Sequence, residues 1–196
     1  MDLGPVSVAT AEELQTYTYR VASVVGLWLT ELAGVRDPGT LDRAAAMGHA
    51  MQLTNILRDV GEDLARGRRY IPATLLAEHG LSTDDLDALR VSTDPIPDGY
   101  AAVCEHLMGV AERQYAYAFE ALPELPGGFR RPVAVAARAY AAIHDVIRRN
   151  GYDNLRRRAF TTLPEKLVHG LGGLYALHAL GRRGALRPFP GTLSLS

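Results

Sequence analysis

The 196 residues are 47% hydrophobic and 22% charged, enough apolar material for one globular domain with a sizeable core. A formal net charge of −1 excludes a global basic field of the kind that attracts nucleic acid, so no nucleic-acid partner is expected. The single cysteine, Cys104, excludes an intramolecular disulfide, and no apolar run reaches the ~18 residues of a membrane span. The N-terminus, MDLGPVSVAT, has neither the basic start nor the apolar middle of a signal peptide, so a cytoplasmic protein is expected.

Thr10 and Glu13 form a capping-box pattern that predicts a helix over residues 11–33, stopped by Gly34. Tyr19, Ser23, Gly26 and Thr30 share one face of it, a face of small residues suited to close approach by another helix or a ligand. VRDPGT is a turn, and a central helix is expected over residues 41–64. Short helices follow at 73–79 and 83–89. The second is capped by Ser82, with Asp84, Asp85 and Asp87 as acids of its first turns. Asp94 and Asp98 have the spacing of a carboxylate pair, but Pro95 and Pro97 forbid a regular helix there. Long helices are expected over residues 99–122 and 132–150. Arg148, Arg149, Arg156, Arg157 and Arg158 then surround Tyr152, a pattern of solvated surface or of a helix C-terminus. Pro164 opens a last helix over 165–180, and residues 181–196 read as a flexible tail. The class is all-α.

One stretch stands apart. At 100° per residue, Gln52, Asn55, Asp59, Glu62, Asp63 and Arg66 fall on one side of the central helix. Leu53, Ile56, Leu57, Val60 and Leu64 fall on the other. Leu41, Ala44, Ala45 and Gly48 continue the first side as a small, apolar surface, with His49 beside it as a core histidine. Asp59 and Asp63 lie one turn apart and repel unless a cation sits between them. Hard oxygen donors with room for water suit Mg2+, commonly held by one or two carboxylates together with substrate phosphates. A diphosphate ligand is therefore expected, with Arg58, Arg66, Arg68 and Arg69 nearby. The competing reading is an acidic helix surface.

QLTNILRDVGED followed by RGRRYIP resembles the second aspartate-rich signature of the squalene/phytoene synthases, all-α enzymes that join two prenyl diphosphates head to head. Tyr17-Thr-Tyr19-Arg-Val-Ala-Ser-Val-Val-Gly26 resembles that family's Y-x-Y-x-V-A-G-x-V-G helix, with Ser23 in place of a glycine. GYDNLRRRA resembles its late G-Y-D segment. The resemblance implies Asn55, Asp59 and Asp63 as ligands of Mg2+, or of Mn2+ in its place. It implies Gln52, Arg58, Tyr152 and Arg157 on the substrate diphosphate, and Tyr19 at the reacting centre beside Arg58, Asp59 and Asp63. GRRYIPATLLAEHGL is most similar to bacterial phytoene synthases, which implies geranylgeranyl diphosphate as substrate and no NADPH. A farnesyl diphosphate enzyme making squalene, dehydrosqualene or presqualene diphosphate is the sister alternative.

In that family a first aspartate-rich helix precedes the Y-x-Y helix, and no second helical D-x-x-x-D exists in this chain. Residues 1–196 are thus expected to be the C-terminal portion of one isoprenoid-synthase domain, an incomplete helical bundle. A truncated gene product, half of a split enzyme or an engineered piece would each account for it. Expected partners are the prenyl diphosphates, an N-terminal half or a second copy meeting exposed apolar surface, and a membrane surface, since prenyl substrates are lipids. A non-catalytic binding fragment is the alternative from a different class.

Overall fold

The structure is a computed structural model that describes residues 4–181; of the expected tail only Gly181 falls among them. Eight α-helices and one two-stranded ribbon make up the described residues. β1 (Val6–Ser7) pairs in parallel with β2 (Arg68–Arg69), so the N-terminal lead-in is pinned beside the exit of the central helix.

The helix expected over residues 11–33 is one rod with a change of pitch. α1 (Ala11–Thr18) starts where the Thr10 side chain accepts the Glu13 N–H at 3.2 Å. Tyr19–Ser23 then forms a π-helical turn, and α2 spans Val24–Leu32. The wide turn comes where the rod crosses α3 (Pro38–Ala65) backbone to backbone. A Cβ on Gly48 would lie 2.5 Å from the Ala22 carbonyl oxygen, and one on Gly26 would lie 2.5 Å from that of Ala44. Ser23 Oγ donates to the Ala45 carbonyl at 2.9 Å in the same crossing. The small-residue face packs on α3 at Ser23 and Gly26, while Gly26 and Thr30 also line a cavity, and π-turns recur where backbone geometry is adapted to a site.

α3 begins earlier than the expected residue 41. Asp37 accepts the Thr40 N–H at 2.8 Å and Pro38 takes the first helical position, where its missing N–H costs nothing. α4 (Ala73–Glu78) and α5 (Thr83–Val91) follow. Ser82 and Asp85 form a reciprocal capping box on α5. Asp87 does more than open a helix: it forms an ion pair with Arg69 that ties α5 to β2. α6 (Asp98–Phe119) leads through a 3₁₀ turn at Leu122–Glu124 to α7 (Gly127–Arg149). α7 starts before the expected residue 132 because Pro132 forfeits a single bond, to the carbonyl of exposed Gly128. α8 (Leu163–Leu180) closes the described fold, packed on α7.

α3 lies at the centre, against the π-turn, α2, α6 and α7. Leu53, Ile56, Leu57, Val60 and Leu64 are all buried, packed in one core with Val103, Leu107 and Met108 of α6 and Ile147 of α7. The opposite face of α3 is half-buried from Gln52 to Asp63. Several buried polar groups within the core are paired with one another. Thr54 Oγ1 meets Tyr115 Oη and His144 Nε2, each at 3.0 Å.

His49 is buried and shares a 2.6 Å hydrogen bond with Thr18 Oγ1. Burial pulls its pKa from 6.5 down to about 4, so the fold holds the neutral ring. The unfolded chain then binds a proton that the folded one refuses. The stability His49 contributes is full above pH 6.5 and is lost as pH falls towards 4, by roughly 3 kcal/mol for a shift of that size. Urea unfolding of the parent and of His49→Gln at pH 7 and pH 4.5 should show the parent losing more stability on acidification. Parallel losses in the two proteins would remove His49 as the cause.

Candidate active site

The candidate site is assembled on the half-buried face of α3 and the non-helical segment 150–162. Gln52 and Asn55 line an apolar cavity of about 500 Å³ between α2, the first half of α3, the end of α6 and the start of α7. Val25 and Leu29, Met47 and Met51, and Phe129 and Val133 supply three of its walls. At the polar end Asn55 Nδ2 donates to Gln52 Oε1 at 3.4 Å, while Asn55 Oδ1 is buried and has no partner. An orphaned buried acceptor costs about 1–3 kcal/mol, which a cation or a donor would recover.

One turn later, Asp59 is gripped by two arginines. Arg58 donates to it through Nε at 2.8 Å and Nη2 at 2.6 Å, and Arg158 Nε donates to Oδ1 at 2.7 Å. Arg158 also approaches Glu62 at 3.5 Å. Burial pushes the Asp59 pKa up, but the hydrogen bonds and charges of Arg58 and then of Arg158 outweigh it and hold the carboxyl below its ordinary value. The Asp59 hydrogen bond is likewise the main cause that raises Arg58, against burial. Asp63 moves the other way. Burial and then the negative charge of Asp59 raise its pKa, with Arg68 and Arg66 offsetting part of the shift. Of the two carboxylates, Asp63 is the less compensated.

A second cleft, of about 410 Å³, opens beside this pair and is lined by Arg58, Glu62, Arg90, Arg156, Arg157 and Arg158. Five arginines line it against one glutamate, and guanidinium groups match phosphate oxygens bidentately.

The structure thus brings Gln52 and Asn55 together at the apolar cavity, and Arg58 and Arg157 at the basic cleft, with Asp59 between them. Asp63 lines neither and borders a third, small pocket with Arg68 and Tyr70. Tyr19 is 47% exposed at the start of the π-turn and lines neither cavity. Tyr152, in a left-handed conformation at φ 60, donates from its hydroxyl to Glu105 at 2.9 Å, and Glu105 is held by Arg148. The Arg157 side chain is 79% exposed and lies 3.7 Å from Asp153, whereas that of Arg158 is 34% exposed and reaches Asp59. Arg158 and Arg90 line the site without a role from motif reading, and Glu62 was placed on the acidic face without one. Only the arginine run itself could have pointed to Arg158.

The segment carrying Arg158 is placed by two contacts with α3. Asn154 Nδ2 donates to the Leu57 carbonyl at 2.6 Å, and Gly61 lies so close that a Cβ there would be 2.0 Å from the Leu155 carbonyl oxygen. Any side chain at position 61 would push the arginine loop off α3.

Among the described residues no three His, Cys, Asp or Glu side chains come together as a metal site. The donors present still suit a hard cation. Asn55 Oδ1 is unpartnered, Asp63 is only partly compensated, and Asp59 is a carboxylate held by two arginines. Mg2+ asks the protein for little more when phosphates fill the other positions.

The sequence model described as squalene/phytoene synthase matches residues 1–165. A phytoene synthase of Thermus thermophilus is 47% identical over 158 residues, 81% of this chain and 52% of that protein. One from Cereibacter sphaeroides is 42% identical over 180 residues, 91% of this chain and 48% of that protein. The chain spans about half the length of these curated relatives. Among solved structures, a dehydrosqualene synthase in complex with ligand superposes with a TM-score of 0.74 at 30% identity, over 88% of this chain and 59% of the other. A squalene synthase from Alicyclobacillus acidocaldarius gives 0.69 at 27%, over 74% and 54%. Fold, motif helix and sequence agree: the chain belongs to the squalene/phytoene synthase family.

Proposed function

We propose that this chain forms one wall of a prenyl-diphosphate site for the Mg2+-dependent, head-to-head condensation of two geranylgeranyl diphosphates to phytoene. The observation that carries the reading is the succession along α3 of an apolar cavity lined by Gln52 and Asn55 and a cleft lined by arginines, two of which, Arg58 and Arg158, hold Asp59. A ligand with a long hydrocarbon tail and a diphosphate head has that division. The relatives at 47% and 42% identity carry the name phytoene synthase, which favours the C20 substrate.

Asn55, Asp59 and Asp63 would hold Mg2+, which when bound neutralises diphosphate charge and so favours its departure. Arg58 and Arg158 exchange their hydrogen bonds from Asp59 to phosphate oxygens and take up charge on the leaving group. Arg157, at the rim of the same cleft, adds positive potential. Gln52 orients Asn55 through their shared hydrogen bond. The apolar walls exclude water from the allylic end of the substrate, where water would quench a cation. Tyr19 and Tyr152 are assigned to the diphosphate on the resemblance of their motifs alone; neither lines either cavity.

A second reading has its own support. The chain spans about half of its relatives, and among the described residues no carboxylate pair faces Asp59 and Asp63. On that reading the chain is a catalytically incomplete partner. The purified chain, incubated with Mg2+ and geranylgeranyl or farnesyl diphosphate, should yield phytoene from the C20 substrate once the N-terminal part of a relative is supplied. Product without it would eliminate the incomplete-partner reading, a C30 product alone would favour the sister activity, and no product under either condition would sink the enzyme reading.

A further inference from the structure

The apolar cavity has polar groups at both ends, and the two ends differ. At one end Gln52 and Asn55 lead into the acidic stretch of α3, and Asn55 Oδ1 is buried without a partner. At the other end Thr30, Thr40 and Arg43 join the lining. There the hydroxyls are spent close to home. Thr30 Oγ1 donates to the Gly26 carbonyl at 2.9 Å, and Thr40 Oγ1 donates to Asp37 at 3.0 Å. Arg43, the one charged residue among those that line the cavity, is 5% exposed. Its Nη1 donates to the Gly39 carbonyl at 3.1 Å, its guanidinium lies 4.5 Å from the Tyr117 ring centroid, and Glu120 stands 4.0 Å away. The charge of Arg43 is thus already answered by protein. A diphosphate head belongs at the Asn55 end, beside Arg58 and Asp59, and a hydrocarbon tail points towards Arg43.

Helix geometry measures the distance between the ends. At 1.5 Å per residue, Asn55 lies about 18 Å from Arg43 and about 22 Å from Thr40 along α3. α2 runs beside α3 in the opposite sense: Ala22 meets Gly48 and Gly26 meets Ala44, so Thr30 and Ala33 lie at the Thr40 end. An extended isoprene unit covers about 4–5 Å at ordinary C–C bond lengths, so four units cover about 18–20 Å and three about 14–15 Å. A C20 tail therefore reaches from Asn55 to Arg43, and a C15 tail stops one unit short.

We propose that Arg43 is the stop that sets tail length in this cavity, and that the small side chain of Ala33 leaves room for the fourth isoprene unit. The inference rests on the prenyl-diphosphate reading above and deepens it, naming the residues that select C20 over C15. The reason is an asymmetry of costs. Each isoprene unit that enters the cavity gains by leaving water, whereas a unit driven past Arg43 has to part a buried charge from its partners. A larger side chain at position 33 takes the space of the last unit.

Calorimetric titration of the 196-residue chain with geranyl, farnesyl, geranylgeranyl and geranylfarnesyl diphosphate, in the presence of Mg2+, tests it. Affinity should rise at least about fivefold with each unit up to C20 and less than about twofold from C20 to C25. Ala33→Leu should weaken C20 binding about tenfold more than it weakens C15 binding. Arg43→Met should bring the gain from C20 to C25 up to about fivefold and leave pyrophosphate affinity within about twofold. Farnesyl diphosphate binding reports that each variant is folded, and Ala33→Leu, at a half-buried helix end, carries the test if Arg43→Met does not fold. A C20 limit that Arg43→Met leaves in place, or equal weakening of C15 and C20 by Ala33→Leu, would overturn the assignment and leave the prenyl-diphosphate reading standing. Loss of pyrophosphate binding in Arg43→Met would overturn it by placing the head at Arg43. No gain over pyrophosphate from any isoprene unit would sink the assignment and the reading together.

Discussion

Asp59→Asn is expected to weaken Mg2+-dependent diphosphate binding by about a hundredfold or more, with a modest loss of fold stability. A carboxylate contributes a full charge to a site that asks the protein for only one or two of them. The asparagine keeps the shape but not the charge. The structure adds a cost to the simple ligand argument. Half-buried Arg58 makes two hydrogen bonds to Asp59 and Arg158 makes a third, so the neutral amide leaves two guanidinium groups partly uncompensated. That penalty is about 1–2 kcal/mol. Calorimetric titration of pyrophosphate in the presence and absence of Mg2+, with denaturant melts of both proteins, separates the two effects. Unchanged binding would mean that the acidic face of α3 is solvated surface and nothing more.

The second large effect distinguishes neighbouring arginines. Arg158→Ala should weaken pyrophosphate binding by about ten- to a hundredfold, the equivalent of one or two charge-assisted hydrogen bonds. Arg157→Ala should change it by less than about fivefold, because an exposed guanidinium paired to a carboxylate is worth little. Arg158 already points at Asp59 and stacks over Phe160, with 5.1 Å to the ring centroid, so its position costs no ordering when a ligand arrives. If the alanine at 157 proves the more damaging, the loop turns over on binding, and the roles of the two arginines are exchanged.

Much of the site was legible on α3 because a helix converts spacing into direction. The separation of Leu53, Ile56, Leu57, Val60 and Leu64 from Gln52, Asn55, Asp59 and Asp63 follows from 100° per residue, and the burial pattern has it residue for residue. Elsewhere regular spacing misled. The rod over residues 11–33 contains a π-turn that no periodicity shows, because its cause is the crossing with Gly48 and Ala45 on another helix. That turn changes the phase of the face from Tyr19 to Thr30, and Tyr19 ends outside the cavity that Val21 and Ala22 line. In segment 150–162 there is no period at all. The choice between Arg157 and Arg158 at Asp59 depends on Gly61 and Asn154, each of which makes its contact with residues far away along the chain.

The sequence alone therefore determined the all-α class, the two faces of the central helix, the chemistry of its acidic side and the family. These depend on local residue order, and local order acts through a single helix. Only the tertiary structure decided that Asp59 is clamped by Arg58 and Arg158, that Asn55 Oδ1 ends buried without a partner, that Tyr152 turns to Glu105, and that α8 leaves an apolar flank uncovered. Each of those is a relation between segments distant in sequence, set by how closely backbones approach and by which side chain then reaches across. Such relations exist only once the helices have packed.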